Sequence, residues 1–470
     1  MQNSEKYNIL YTRKNNVRGN LKVNFIFKII TLLALVHIFI KYDEIILAIY
    51  LPLYAIFFLC KCLEYQNISM DLDLEYANAL EDKNLEVAMI LLDFKPENIP
   101  KYSILVPMHK ENIHTIRNLK TNLDNILYPR EKLEILILLE ECDLKTIEIC
   151  KQLELNLGIY QIIIVPNDHL KTKGRALNFG LMRASGKYLA IYDAEDCPHK
   201  MQIMLSLKKF TNDPNLRAIQ CNLRYYNRVN SLSELFFTEY EYIFTIRNVA
   251  TVRLFNFVML GGTSNHFITK DLQEIQGWDA FNVTEDFEIS LIYMRKSWNM
   301  GTLNVPTLEE AVTRPLPWIR QRSRWIKGYM QTFSCYLFNG KSLLKRPFVN
   351  LFFLAYCSTM LLFPLYFMVN IAAILTHSTF NFHINTTDVI DTLMLALILL
   401  PVALEGALYQ AIYRTKHPNS LNLFRNLLAR AIYMILFILA YIKALYEFIF
   451  CPYYWDKTEH LGTFNIPKDQ

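Results

Sequence analysis

Three apolar runs near the C-terminus constrain the fold more than any other feature, because each is long enough to cross a bilayer. Residues 348–376 contain no charged side chain, residues 392–413 contain Glu405 alone, and residues 427–450 are largely apolar. A membrane-spanning helix needs about 20 apolar residues. We therefore predict about three transmembrane helices within residues 347–450.

Two shorter apolar runs within residues 23–60 predict a transmembrane hairpin. Five cations lie in the preceding tail, residues 1–22, and cytoplasmic segments are enriched in Lys and Arg. The tail and residues 61–346 are therefore expected on the cytoplasmic side of the membrane. The side of the C-terminal tail, residues 451–470, stays open, since residues 441–450 fit either a span or an interfacial helix.

The charge balance and the cysteines argue against two other classes of protein. The formal net charge is +5 and no long basic tract is present, so a nucleic-acid partner has no support. The nine cysteines are scattered without the spacing of a zinc site. Reduced cytosolic thiols are therefore expected.

The segment between the apolar regions alternates short apolar runs with helix-like stretches. This alternation predicts an α/β domain with a mainly parallel sheet, which binds ligands at the carboxyl ends of its strands. Strands are predicted at residues 103–106, 133–139, 161–165 and 188–192, and helices from about residue 111, at 144–155 and at 174–184.

Acidic clusters follow two of the predicted strands, EECD at residues 140–143 and DAED at residues 193–196. One such cluster is usually a solvated turn. Crowded carboxylates repel, however, and Mg²⁺ commonly bridges protein carboxylates to substrate phosphates. DAED therefore fits a metal–diphosphate site. Lys173, in the stretch KTKGRALN, fits either a phosphate-binding cation or an exposed basic loop.

The stretch NVTED, residues 282–286, fits the start of a helix. Thr284 is a suitable N-cap, and the dipole favours acids in the first turn, which explains these acids without catalysis. The functional interpretation is that Asp286 is a general base, since a helix start at the crevice can reach a hydroxyl. Upstream, MLGGTSN at residues 259–265 indicates either a tight turn or close approach of a ligand.

The last motif is QRSRW, residues 321–325, on an interfacial helix predicted near residues 318–340. It begins 35 residues after Asp286 (321 − 286 = 35). Cations beside a membrane span also fit the positive-inside rule, which explains part of the motif without any chemistry.

Taken in order, an acidic strand end, DAED, TED and QRSRW resemble the signature of the membrane-embedded family 2 glycosyltransferases. This group includes cellulose, curdlan, chitin and hyaluronan synthases, and its last aspartate precedes Q-x-x-R-W by about 35 residues. The resemblance covers about residues 100–335. It implies an α/β fold of the GT-A type, with a mixed, mainly parallel sheet that binds a nucleotide sugar and is flanked by transmembrane helices.

The resemblance also implies roles for the matched acids. Glu141 and Asp143 stand where the family's first acidic pair contacts uridine, and Asp193 stands at the metal–diphosphate position. The family usually has D-x-D there, whereas this chain has Asp-Ala-Glu followed by a further Asp. The second ligand of Mg²⁺ or Mn²⁺ is therefore Glu195 or Asp196.

Later residues match the catalytic end of the signature. Asp286, with Glu285 beside it, matches the catalytic base. Gln321, Arg324 and Trp325 match Q-x-x-R-W and are expected to bind the donor. The planar guanidinium of Arg324 suits diphosphate oxygens, and Trp325 offers a sugar ring an apolar face.

The implied activity is inverting, metal-dependent transfer of a sugar from a UDP-sugar, UDP-glucose first, in synthesis and export of a bacterial polysaccharide. The partners would be the donor, a growing glycan, membrane lipid and accessory export subunits, in a multi-pass protein of the bacterial inner membrane. Transfer of one sugar to a lipid acceptor is the alternative within the enzyme class. An inactive membrane scaffold is the alternative outside it, with Glu195 as the only feature in its favour.

Overall fold

The computed structural model describes most of the middle of the chain and one long helix near its C-terminus. For the helix residues 336–338, 423–431 and 434 it describes only the backbone. The described residues are 77, 78, 80, 85–155, 157–338, 349–351, 353–357, 361, 364 and 423–455.

An eight-stranded mixed sheet forms the centre, with the strand order β3-β2-β1-β4-β7-β6-β8-β5. Strands β3, β2, β1 and β4 run parallel to one another, β6 runs parallel to β8, and β7 and β5 pair antiparallel to their neighbours. The strands are β1 Tyr102–Met108, β2 Leu133–Glu140, β3 Tyr160–Val165, β4 Tyr188–Ile191, β5 Cys197–Pro198, β6 Leu216–Tyr225, β7 Asn265–Ile268 and β8 Asn299–Glu309.

The helices cover both faces of this sheet. They are α1 Leu85–Leu91, α2 Ile113–Asp124, α3 Leu144–Gln152, α4 Lys173–Leu181, α5 Gln202–Asn212, α6 Ser231–Glu241, α7 Asn248–Phe255, α8 Thr269–Glu274, α9 Glu285–Arg295, α10 Pro315–Phe338 and α11 Leu423–Phe450. A π-helical turn, Tyr242–Arg247, joins α6 to α7.

Strand β2 shows why the core has two apolar layers. All eight of its residues are buried, and successive side chains of a strand point to opposite faces. Ile135 and Ile137 accordingly pack in one apolar cluster, while Leu136 and Leu138 pack in the other. A strand that is buried on both faces has a continuous apolar sequence. The run LEILILL could therefore be predicted as a strand.

The four predicted strands and the three helices between them are confirmed, and so is the α/β class with a mixed sheet. The N-caps explain where these helices begin. Asn112, Asp143 and Thr172 each accept a hydrogen bond from a backbone N–H in the first turn. The strands after residue 192 escaped prediction, because their pairing brings together segments far apart in sequence.

The helix predicted near residues 318–340 is α10, and α11 packs along it. Across the part of the chain that the structure describes, no helix is long and apolar enough to cross a membrane. The predicted transmembrane helices are thus not confirmed there. The tail 1–22, the hairpin at 23–60 and the run at 392–413 lie outside the described residues.

Candidate active site

A cavity lies at the carboxyl ends of β1, β2, β4, β6 and β8, and its two ends differ in chemistry. Its polar end is lined by charged and polar side chains, namely His109, Glu111, Lys173, Asp193 and Glu195. Its aromatic end is lined by Tyr240, Phe244, Phe287, Tyr329 and Tyr356. Glu285 and Asp286 line the wall where the two ends meet.

Lys173 is the central cation of the polar end. Its ammonium group donates to the Gly262 carbonyl at 2.7 Å and to the Asp193 carboxylate. Burial disfavours the charge, but Asp193 and Glu285 outweigh that effect and raise the pKa of Lys173 to about 12. Of the two interpretations of the KTKGRALN stretch, the exposed loop is therefore wrong for Lys173.

The DAED turn separates its own carboxylates. Asp196 is buried, and its carboxylate accepts hydrogen bonds from the Asp193 backbone N–H at 2.7 Å and from the Thr263 hydroxyl. Asp193 and Glu195 line the cavity, whereas Asp196 closes the turn behind them. Burial raises the pKa of Asp193, and the nearby Lys173 opposes this rise.

The donor set at the polar end fits a hard divalent cation that shares its coordination with a substrate. Within the described residues, no group of three or more His, Cys, Asp or Glu side chains is arranged to hold a metal alone. Mg²⁺ is commonly held by one or two carboxylates, its remaining positions going to water and phosphate oxygens. Asp193 and Glu195 supply two carboxylates beside an open cavity.

Glu309, at the end of β8, is a cavity residue that the sequence interpretation missed. Burial and the charges of Asp196 and Glu195 raise the pKa of its carboxyl well above the usual range. Its Oε1 is buried without a hydrogen-bond partner among the described residues. The signal that identified DAED, an acid at a strand end, applies equally to Glu309, but β8 itself was not predicted.

Asp286 lies at the start of α9, opposite Lys173. Gly262 lies between them: a Cβ on this glycine would be 3.7 Å from Lys173 Nζ and 3.8 Å from Asp286 Oδ2. Its lack of a side chain keeps that space open, so of the two interpretations of MLGGTSN the close approach fits better. Burial raises the pKa of Asp286. Burial and the charge of Asp286 raise the pKa of Glu285 to about 7.

Thr284 occupies the predicted N-cap position, but the predicted side-chain cap is wrong. Its hydroxyl donates to Asn282 Oδ1 at 3.4 Å instead. The cause is the crossing of α10: a Cβ on Gly328 would be 2.1 Å from Thr284 Oγ1. This close approach packs the QRSRW helix directly against the start of α9.

The QRSRW residues of α10 reach the cavity from one side. Gln321, Arg324 and Trp325 all line it. Gln321 Oε1 is buried without a hydrogen-bond partner among the described residues, so it is available to a ligand. Trp325 belongs to the aromatic side, with its ring centroid 6.0 Å from that of Phe236 and 6.2 Å from that of Tyr240.

Two further cations, Arg322 in the motif and Lys327 just after it, have buried ion-pair partners, while the positive-inside interpretation of these cations stays a prediction. Arg322 is buried and pairs with Glu239, with two N–O distances of 2.7 Å. Lys327 is fully buried, donating to Glu447 Oε2 at 2.9 Å and to the Tyr454 carbonyl at 2.6 Å. Buried ions of this kind fix packing, because removing one partner leaves an unpaired charge.

The first acidic pair does not line the cavity. Glu141 is exposed and accepts a hydrogen bond from the Asn167 N–H at 2.8 Å. Asp143 caps α3 and lies 3.9 Å from His109, which does line the cavity. Glu140 lines it in their place, held by an ion pair of 3.2 Å with Arg175. The uridine contacts of Glu141 and Asp143 remain predictions.

The segment after α11 adds an aromatic side chain that the sequence interpretation left without a role. Trp455 lines the cavity, with its ring 5.3 Å from the guanidinium of Arg324 and 6.4 Å from the ring of His109. The aromatic run at 453–455 was visible in the sequence, but nothing local connected it to residues more than 100 positions earlier.

Known proteins resemble part of this chain. Residues 100–328 match the family profile "Glycosyltransferase like family 2". The probable glycosyltransferase YdaM of Bacillus subtilis is 25% identical over 235 residues, which is 49% of this chain and 56% of that protein. The UDP-forming cellulose synthase catalytic subunit of Pseudomonas fluorescens is 24% identical over 257 residues, which is 52% of this chain and 33% of that protein.

The chain therefore spans 56% and 33% of the length of these two curated relatives. Among solved structures, mannosyltransferase PcManGT from Pyrobaculum calidifontis, in complex with GDP-Man and Mn²⁺, superposes with a TM-score of 0.52 at 18% identity. The superposition covers 78% of this chain and 100% of that one. Residues 100–328 are thus similar in sequence to glycosyltransferases of family 2, and the chain shares a GT-A-like α/β fold with a solved glycosyltransferase.

Proposed function

We propose that the chain is an inverting, metal-dependent hexosyltransferase that moves a sugar from a UDP-sugar, with UDP-glucose the first candidate, onto an acceptor hydroxyl. The observation that carries this proposal is the arrangement across Gly262. A half-buried carboxylate, Asp286, faces the Lys173–Asp193 ion pair across an open space at the strand ends. That arrangement suits a base on one side and a diphosphate on the other.

The chemistry follows from these positions. Asp286 takes the proton of an acceptor hydroxyl, and the oxygen attacks the anomeric carbon from the face opposite the leaving UDP. A single displacement converts an α-linked donor into a β-linked product. Lys173 and Arg324 hold the diphosphate. A divalent cation at Asp193 and Glu195 would add charge neutralisation of the leaving group, and the Mn²⁺ in the PcManGT complex supports Mg²⁺ or Mn²⁺.

We propose that the product is a bacterial polysaccharide that is exported as it is made, in a multi-pass protein of the inner membrane whose described domain is cytoplasmic. The similarity to a cellulose synthase catalytic subunit supports this choice, as do the apolar runs in the sequence. Accessory export subunits would then be partners. Transfer to a lipid acceptor is the alternative, supported by Phe244, Phe287 and Phe437 in the cavity wall.

The test is UDP release from the purified full chain in lipid vesicles with Mg²⁺, across a panel of UDP-sugars. General bases contribute about 10²–10⁴-fold, so Asp286→Asn should lower turnover about a thousandfold with the preferred donor. Glu288→Gln, a buried acid on the same helix that does not line the cavity, is the matched control. Sizing the labelled product separates polymer from glycolipid.

Two outcomes would contradict the proposal. Equal turnover in Asp286→Asn and in the unaltered protein would remove Asp286 from the chemistry. A lack of turnover with every donor, even with membrane extract supplying acceptors, would instead favour the inactive scaffold. The explanation would then be Glu195, which stands where the family usually has Asp.

A further inference from the structure

Arg322 lies at the centre of an aromatic stripe on α10. Trp318, Arg322 and Trp325 are four and three positions apart, so they share one face of the helix. The Arg322 guanidinium carbon is 5.0 Å from the ring centre of Trp318 and 4.6 Å from that of Trp325. A third ring, Phe236 of α6, lies 5.2 Å away.

The two terminal nitrogens of Arg322 are contacted from two other helices. Glu239 of α6 accepts from both terminal nitrogens at 2.7 Å, and the Tyr433 hydroxyl of α11 lies 3.1 Å from Nη2. Tyr433 also donates to Glu239. A two-point contact between a guanidinium and a carboxylate fixes the plane of both groups. The plane of Arg322 is therefore set by residues outside α10.

Arg322 lies closer to the ring of Trp325 than the neighbouring rings of Phe236 and Tyr240 do. The guanidinium lies over the indole at 4.6 Å, whereas the rings of Phe236 and Tyr240 are tilted and 6.0 and 6.2 Å away. Planar guanidinium groups stack on indole faces. Because Trp325 also lines the cavity, the part of its ring that Arg322 leaves uncovered is available to a ligand.

We propose that Glu239, Arg322 and Tyr433 form a clamp that orients Trp325 for contact with the sugar ring at the acceptor side. The clamp makes the C-terminal helix α11 part of acceptor recognition, because Tyr433 lies on α11. Glu239 and Tyr433 act as positioning residues. The proposal rests on the proposed function in assigning a sugar to Trp325.

The orientation of Trp325 can be tested without any ligand, by ¹⁹F NMR of the full chain labelled with 5-fluorotryptophan. The resonance of residue 325 is the one lost in Trp325→Phe. We expect Glu239→Gln to shift and broaden this resonance. Glu241→Gln is the matched control, because Glu241 lies on the same helix and forms its own ion pair of 2.7 Å with Arg224. Equal spectra for Glu239→Gln and the unaltered protein would overturn the clamp.

Tyr433→Phe provides a milder variant that keeps the Glu239–Arg322 pair. It removes one hydroxyl, so it should fold even if Glu239→Gln does not, and we expect a smaller shift of the same resonance. An unchanged resonance in Tyr433→Phe would remove α11 from the clamp.

Activity then tests the consequence for the acceptor. Glu239→Gln should lower sugar transfer about tenfold while the Kd for UDP with Mg²⁺ changes less than about twofold, and it should cost little more in a Trp325→Ala background. Full additivity would overturn the clamp. An inactive unaltered protein would contradict the proposed function instead, and the NMR comparison would still decide on the clamp.

Discussion

The polar and aromatic ends of the cavity are assembled in different ways. The polar end is formed by side chains just after β1 and β4 and by the first residue of α4. Its main ion pair joins two residues 20 positions apart, Lys173 and Asp193. The aromatic end combines α6, α9, α10 and α11, with lining residues from Tyr240 to Phe437. The main ion pair of the polar end is thus formed by segments close together in the sequence. The shape of the acceptor side depends instead on packing between helices far apart in the sequence.

The comparison predicts that the polar end controls donor affinity. Lys173→Met removes the cation that faces the diphosphate, so we expect UDP affinity and sugar transfer to fall about a hundredfold, or about 2.7 kcal/mol. It also leaves the half-buried Asp193 without its ion-pair partner, so we expect stability to fall, by less than the roughly 3–5 kcal/mol typical of a fully buried pair. UDP binding calorimetry and thermal unfolding measure the two effects separately.

The double variant Lys173→Met/Asp193→Asn distinguishes the two causes. Removing both charges should recover much of the stability but none of the donor affinity. Lys296→Met, which breaks an exposed ion pair with Glu274, controls for loss of a positive charge. Recovery of UDP affinity in the double variant would show that neither the Lys173 cation nor a metal at Asp193 is needed to bind the diphosphate.

Changes at the aromatic end should lower sugar transfer without lowering UDP affinity. Trp325→Ala removes the ring at the acceptor side but leaves every polar-end residue in place, so we expect transfer to fall about tenfold, about 1.4 kcal/mol, with UDP affinity nearly unchanged. Stacking contacts of an aromatic ring are commonly worth about this much. An equal loss of UDP affinity would contradict this and would support donor binding by Trp325, as predicted from its motif.

The same difference explains what the sequence could predict. The parallel strands β1–β4 are apolar runs in the sequence, and acids or a lysine just beyond them fall at one edge of the sheet. Asp193, Glu195 and Lys173 were therefore recognisable as a group before any coordinates. Asp286 was recognisable from its helix start and from its spacing to QRSRW.

The residues that escaped prediction depend on tertiary contacts. Glu309 becomes a cavity residue only because β8 pairs with β6 and β5, and Trp455 only because Lys327 and Glu447 hold α11 against α10. The ion pair of Arg322 was not predicted, because its partner Glu239 lies 83 positions away. Burial and partners of an ion are properties of packing, which local patterns do not contain.

Glu285 lies where the polar and aromatic ends meet. The titration of its carboxyl group reports how far this junction is shielded from water. Burial and the charge of Asp286 raise its pKa from 4.5 to about 7, so the folded protein holds a proton that the unfolded chain releases. The contribution of Glu285 to the free energy of unfolding must then fall as pH rises through this window, since its native form binds more protons. Lys173, whose pKa is raised to about 12, keeps its charge throughout the window and contributes no slope there.

Glu285→Gln removes the titrating group, so its Tm relative to the unaltered protein should rise between about pH 4.5 and pH 7 and then level off. Parallel Tm curves over this range would mean that the junction is hydrated, and that the polar end extends further into the cavity than its lining suggests.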